Sequence, residues 1–172
     1  MSTDPTIREG RPLRVGDVMT SRVLTVQPGM TLVELDRRLT TAAISGMPVV
    51  EDDRLLGVVS RADALGALLE EQIDASRISA FYASPYPLSL PTLEHLARDS
   101  RQLAERLTKL RVEDVMTGAP ETAAPDETLR DVARRMRDRR IHRLPVVDAG
   151  KLVGIITSLD LVGAIADRGL AG

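Results

Sequence analysis

A seven-residue phrase in this chain returns 97 positions later. Arg14-Val15-Gly16-Asp17-Val18-Met19-Thr20 recurs as Arg111-Val112-Glu113-Asp114-Val115-Met116-Thr117. The offset holds without a gap as far as Ala67 and Ala164. Along it Pro28 matches Pro125, Thr31-Leu32 matches Thr128-Leu129, and Pro48-Val49-Val50 matches Pro145-Val146-Val147. Ile44, Gly57 and Asp63 match Ile141, Gly154 and Asp160. A repeat of this kind implies two copies of one supersecondary unit. Units of this size hold marginal cores alone, so the copies are expected to pack on each other.

In the first copy Val23 to Val26 reads as a short strand ended by Pro28-Gly29. Thr31-Leu32-Val33-Glu34 has capping-box spacing. Leu32, Leu35, Leu39 and Ala42 then form an apolar helical stripe. Met47 to Val50 and Leu55 to Ser60 read as a hairpin turning at Glu51-Asp52-Asp53. A helix from near Arg61 carries Ala64, Leu65, Leu68 and Leu69 inward. The second copy repeats the order, with Leu129, Val132, Ala133 and Met136 as its stripe. Its hairpin strands are Leu144 to Val147 and Leu152 to Thr157, while its first strand, Glu121 to Ala124, is weak in β propensity. Each unit is thus β-α-β-β-α, an α/β (α+β) arrangement. The expected organisation is a tail at 1–12, repeats at 13–69 and 111–172, and an insert at 70–110.

That insert has no repeat partner. Pro85, Pro87 and Pro91 break it, and it holds every aromatic of the chain, Phe81, Tyr82 and Tyr86. Aromatics in such a segment pack a loop or an interface, or stack on a base. After Pro91, Leu93, Leu96, Leu103, Leu107 and Leu110 fall near one helical face. His95 reads as a surface residue. Arg130, Arg134, Arg135, Arg137, Arg139, Arg140 and Arg143 crowd one stretch. They read as a solvated helix face with internal ion pairs, ahead of a nucleic-acid contact.

Net charge is -2 and cysteine is absent. Bulk charge therefore favours neither nucleic acid nor membrane, and thiol chemistry is excluded. No P-loop, no Gly-x-Gly-x-x-Gly and no metal-ligand spacing occurs, so neither catalytic nor metal residues are expected. With no signal-like leader or spanning apolar run, the expected location is the cytoplasm.

The chain resembles a tandem pair of cystathionine-β-synthase (CBS) domains, the Bateman module. The likeness rests on Asp17 to Thr20, Met47 to Val50 and Gly57 to Asp63. In the second copy it rests on Asp114 to Thr117, Leu144 to Asp148 and Gly154 to Asp160. The resemblance implies two units packed sheet to sheet with pseudo-twofold symmetry. It implies regulation rather than catalysis, no required cofactor, and two clefts that take an adenosine ligand such as AMP, ADP or ATP. It also implies a homodimer; separately, the concentration of aromatics makes the insert a candidate surface for a regulated protein partner.

Thr157 and Asp160 carry the binding chemistry most directly. A helix start draws phosphate, a threonine hydroxyl can donate to it, and a carboxylate suits paired ribose hydroxyls. Ser60 and Asp63 repeat the spacing. The same atoms also make capping boxes, so binding and capping compete as explanations. Ile141-His142-Arg143-Leu144-Pro145 resembles the His-Arg segment of the nucleotide-sensing subunit of AMP-activated protein kinase. This favours phosphate contact by Arg143, with His142 beside it. The first copy has Ile44-Ser45-Gly46-Met47 there and no cation, leaving Arg22 or Arg61 to neutralise phosphate. By resemblance, Thr20 and Thr117 line the adenine end, and Ile44 and Ile141 cover a face. The cleft of the second copy is expected to be the better site. The alternative functions are a ligand-free dimerisation or interaction module and, behind it, a nucleic-acid-binding accessory protein.

Overall fold

The computed structural model describes residues 11–68, Tyr82 and residues 101–168. Leu69, Phe81, Tyr86, Leu93, Leu96 and His95 lie outside the described residues, as does the tail before Arg11. In the first copy α1 spans Leu32–Ala42, β1 Gly46–Glu51, β2 Arg54–Ser60 and α2 Arg61–Leu68. From the end of the insert, α3 spans Arg101–Lys109. The second copy has a one-turn helix α4 (Val112–Val115), β3 (Thr117–Gly118), α5 (Leu129–Arg139), β4 (Arg143–Asp148), β5 (Lys151–Thr157) and α6 (Ser158–Arg168).

The local rules hold in both copies. Thr31 and Thr128 cap α1 and α5, their hydroxyls accepting from Glu34 and Asp131 amides, each at 3.2 Å. The hairpin turns place Asp52 and Asp53, and Ala149 and Gly150, at positive φ. Two consecutive left-handed residues match the twist of the flanking strands. Both hairpins shift register at the same place, Val49/Val50 and Val146/Val147.

The expected first strands shrink to single contacts. Only Val26 bridges Val49, and only Ala123 bridges Val146. Pro28 and Pro125 follow closely and lack the N–H a longer ladder needs.

The two hairpins join through Arg54 and Lys151 into one five-stranded sheet, ordered β1-β2-β5-β4 with β3 on β2. The leading segments are exchanged between the copies. Thr20, from the first copy, trades two 2.9 Å backbone bonds with Ile155 of the second. Thr117, from the second, pairs with Val58 of the first. Val15 lies in the second copy's core and Val112 in the first's, both fully buried. Gly57 and Gly154 permit the crossing. A Cβ on Gly57 would meet the Thr117 carbonyl at 2.7 Å, and one on Gly154 the Met19 sulfur at 2.5 Å.

One core contains Leu32, Leu35, Leu39, Met47 and Val59, with Leu107 of α3 packed in. The other contains Val132, Met136, Ile141, Leu144 and Ile156, with Tyr82 of the insert packed in. An acidic residue sits within the α1 stripe: Asp36 is buried and bonds Arg61 Nε at 2.8 Å.

Candidate functional site

The Ser/Thr-x-x-Asp turns are built identically at the starts of α2 and α6. Asp63 Oδ2 accepts from the Ser60 amide at 2.8 Å and hydroxyl at 2.7 Å. Asp160 Oδ2 accepts from the Thr157 amide and hydroxyl, each at 2.7 Å. Each hydroxyl oxygen then accepts from the aspartate's own amide, at 3.2 and 3.3 Å. Both motifs therefore act as caps, as the spacing allows. At Asp160 this network uses Oδ2 alone, leaving the second carboxylate oxygen unclaimed among the described residues.

Around Thr157 the structure gathers residues from both copies. Arg143 on β4 lies directly opposite Thr157 on β5, so their side chains share a face of the sheet. Arg143 is only 7% exposed, and burial holds its pKa below the ordinary guanidinium value. Thr20 lies on the other side of β5, bonded to Ile155, with Pro145 facing Ile155 from β4. The first-copy turn gathers a different set. Gly46, not a cation, faces Ser60, and Thr117 lies two residues down β2 at Val58.

The remaining nominated residues divide by burial. Ile141 and Leu144 are core residues, 3% and 0% exposed. Ile44 is half-buried at the edge of the first core. Met47 is buried and lines a hollow of about 490 Å³ together with Leu24, Thr25, Arg37, Arg38 and Ala42. His142 is half-buried; its amide donates to the Tyr82 carbonyl at 2.7 Å and its carbonyl accepts from Ser158 at 2.9 Å. Arg61, expected as a possible phosphate ligand, is committed elsewhere. It bonds Asp36 and the Thr40 hydroxyl, at 2.8 and 2.7 Å, tying α2 to α1. The arginine-rich stretch is laced with ion pairs: Arg135 with Glu127, Arg137 with Asp138, and Arg139 with Glu121. That arrangement matches a solvated helix face.

Sequence reasoning missed the crossing of the leading segments and the seat of Tyr82. The crossing left a signal in Gly57 and Gly154, paired small residues within apolar strands. Tyr82 left none beyond its being an aromatic in a polar insert.

The CBS-domain model matches residues 15–70 and 112–167. The chain belongs to the CBS-domain family. This CBS pair is 32% identical over 158 residues to an uncharacterized protein, MJ1426, of Methanocaldococcus jannaschii, covering 91% of this chain and 93% of that one. It is 32% identical over 157 residues to the chloroplastic CBS domain-containing protein CBSX2 of Arabidopsis thaliana, with 87% of this chain and 62% of that protein covered. A solved structure of CBSX2 in complex with AMP superposes with a TM-score of 0.63 at 30% identity, covering 90% of this chain and 97% of that one. The CBS pair thus spans under two thirds of the full CBSX2 chain. Among the described residues no helix is long and apolar enough to cross a membrane.

Proposed function

We propose that this CBS pair is a non-catalytic regulatory module that binds an adenosine phosphate of the AMP, ADP or ATP class beside Thr157 and Asp160. One observation carries the reading: a buried Arg143 stands opposite Thr157, while Asp160 keeps an oxygen free of the capping network. The two groups have complementary tasks. A carboxylate oxygen accepts from ribose hydroxyls, and a partly desolvated guanidinium binds phosphate in a forked, charge-assisted manner. Thr20 and Pro145 flank the same strand, with His142 and Leu144 on either side of Arg143. The likeness to CBSX2, solved with AMP, supports the ligand class. Ser60, Asp63 and Thr117 belong to the pseudo-equivalent cleft; Met47 lines a hollow on the first copy, and Ile44 and its counterpart Ile141 are the candidates to cover a face of the ring. A ligand preferring one arrangement of the two copies shifts their populations by its differential affinity, which is how the signal leaves the module. The module acts as a homodimer in the cytoplasm, and the insert 70–110 offers the surface for a regulated partner.

The test is thermal unfolding with AMP, ADP and ATP. Ligand at a hundredfold over its dissociation constant adds about 2.7 kcal/mol. For a chain of this length that raises the midpoint by about 5–10 °C. Asp160→Ala is expected to remove the rise and Asp63→Ala to remove less of it. A flat response to all three nucleotides overturns the reading.

A further inference from the structure

Tyr82 occupies a defined seat in the second copy. It is 5% exposed, its hydroxyl donates to the Glu121 carbonyl at 3.1 Å, and its carbonyl accepts from the His142 amide at 2.7 Å. The residue therefore spans from the segment before the Ala123 bridge to the lead-in of β4. Burial drives its phenol pKa upward, so it stays neutral. The Glu121–Arg139 ion pair borders this seat.

The counterparts of Glu121 and His142 in the first copy are Leu24 and Ser45. Here the hollow is open. Its volume is about 490 Å³, within the range of small-molecule sites. Leu24 and Ala42 stand where the second copy has Glu121 and Arg139, so the bordering ion pair is replaced by apolar surface. Leu24 is 58% exposed, unlike the buried Tyr82 seat. Ser45, in the lead-in to β1 two residues before Met47, is only 6% exposed, and its hydroxyl oxygen has no hydrogen-bond partner. A buried hydroxyl left in that state is costly unless a partner arrives. Arg37 and Arg38 line the outer part of the same hollow.

We propose that the module keeps one ring-binding hollow open to ligand, on the first copy, and that Tyr82 fills the pseudo-equivalent hollow on the second. This rests on the nucleotide reading and names the stoichiometry and seat of the base. The occupant is the adenine of the adenosine phosphate, a flat ring taking the place that a tyrosine ring takes in the other copy. Its edge carries both a donor and an acceptor. These match the Leu24 carbonyl and Ser45 amide, the counterparts of the two backbone groups that Tyr82 engages. Thr20, four residues before Leu24, pairs with Ile155, two residues before Thr157 on the strand that leads to Asp160. The two copies therefore differ by an occupant the chain itself supplies.

Titration calorimetry of the whole chain with AMP and ATP tests this. The wild type is expected to bind one nucleotide per chain. Ala42→Phe fills the open hollow and is expected to weaken binding at least tenfold, with the unfolding midpoint of the free protein retained. Tyr82→Phe keeps the ring and is expected to leave one site. Tyr82→Ala is expected to expose a second. Should Tyr82→Ala not fold, the wild-type stoichiometry and Ala42→Phe still decide. Two nucleotides per wild-type chain, or full affinity in a folded Ala42→Phe, overturns this inference alone. No heat with AMP or ATP removes it together with the nucleotide reading.

Discussion

The Asp36–Arg61 pair is a buried charge contact that one copy has and the other lacks. Their side chains are 3% and 11% exposed and meet at 2.8 Å. The second copy carries Ala133 and Ser158 at the same two places. Removing one member of a buried pair costs about 3–5 kcal/mol, because the other charge stays behind uncompensated. Asp36→Ala falls at the low end, about 3 kcal/mol. There Arg61 keeps its bond to Thr40 and its slight exposure to water. Arg61→Ser falls at the high end, about 5 kcal/mol, because the carboxylate it abandons is the more deeply buried partner. The double variant Asp36→Ala/Arg61→Ser transplants the second copy's solution and removes both charges. Replacing a whole buried pair is close to neutral when the space is refilled. Here it leaves a small void, and the expected loss is about 1–2 kcal/mol. Urea unfolding of the three variants, with a common m-value, reads this directly. Thermal midpoints should fall by about 6–12 °C in Asp36→Ala and recover most of that in the double variant. Additive single losses, or a double variant weaker than either single one, would refute the reasoning.

Two further outcomes follow from the packing. Gly57→Ala is expected to destabilise by about 1–3 kcal/mol, and by more than Gly154→Ala. The new methyl group at 57 meets a backbone carbonyl at 2.7 Å, whereas at 154 the nearest atom is the movable end of Met19. A larger loss for Gly154→Ala in chemical unfolding would contradict this. In α6, Leu159, Val162 and Ile165 form a stripe, exposed by 53%, 60% and 50%. If it is the homodimer contact, Val162→Glu should yield a monomer by light scattering, and an unchanged mass would count against that surface.

Much of this architecture could be read from the repeat. Thr31 marked one helix start and, through the repeat, Thr128 the other, and the acidic turn marked the first hairpin. Those features are local, set by side chains within a few residues of the backbone they control. What escaped depended on partners far along the chain. Val23 to Val26 has strand residues, but its ladder is cut to Val26 by the proline that follows and by the path to α1. Arg61 looked available for phosphate because its partner Asp36 lies 25 positions earlier in another helix. The one clue was between the repeats, where Asp36 and Arg61 are replaced together by Ala133 and Ser158. The candidate site was legible as residue types at Thr157, Asp160 and Arg143. That Thr20 would arrive beside them from the other half was not, since nothing in either phrase says which sheet it joins.

The exchanged leading segments have a mechanical consequence. Each half completes its sheet with a piece of its twin, so neither can come apart without dismantling the other. Two homologous units should therefore melt as a single body. A molecule held between Thr20 and Thr157 would act like a bolt through interlocked parts, and grip at one point would be felt in both.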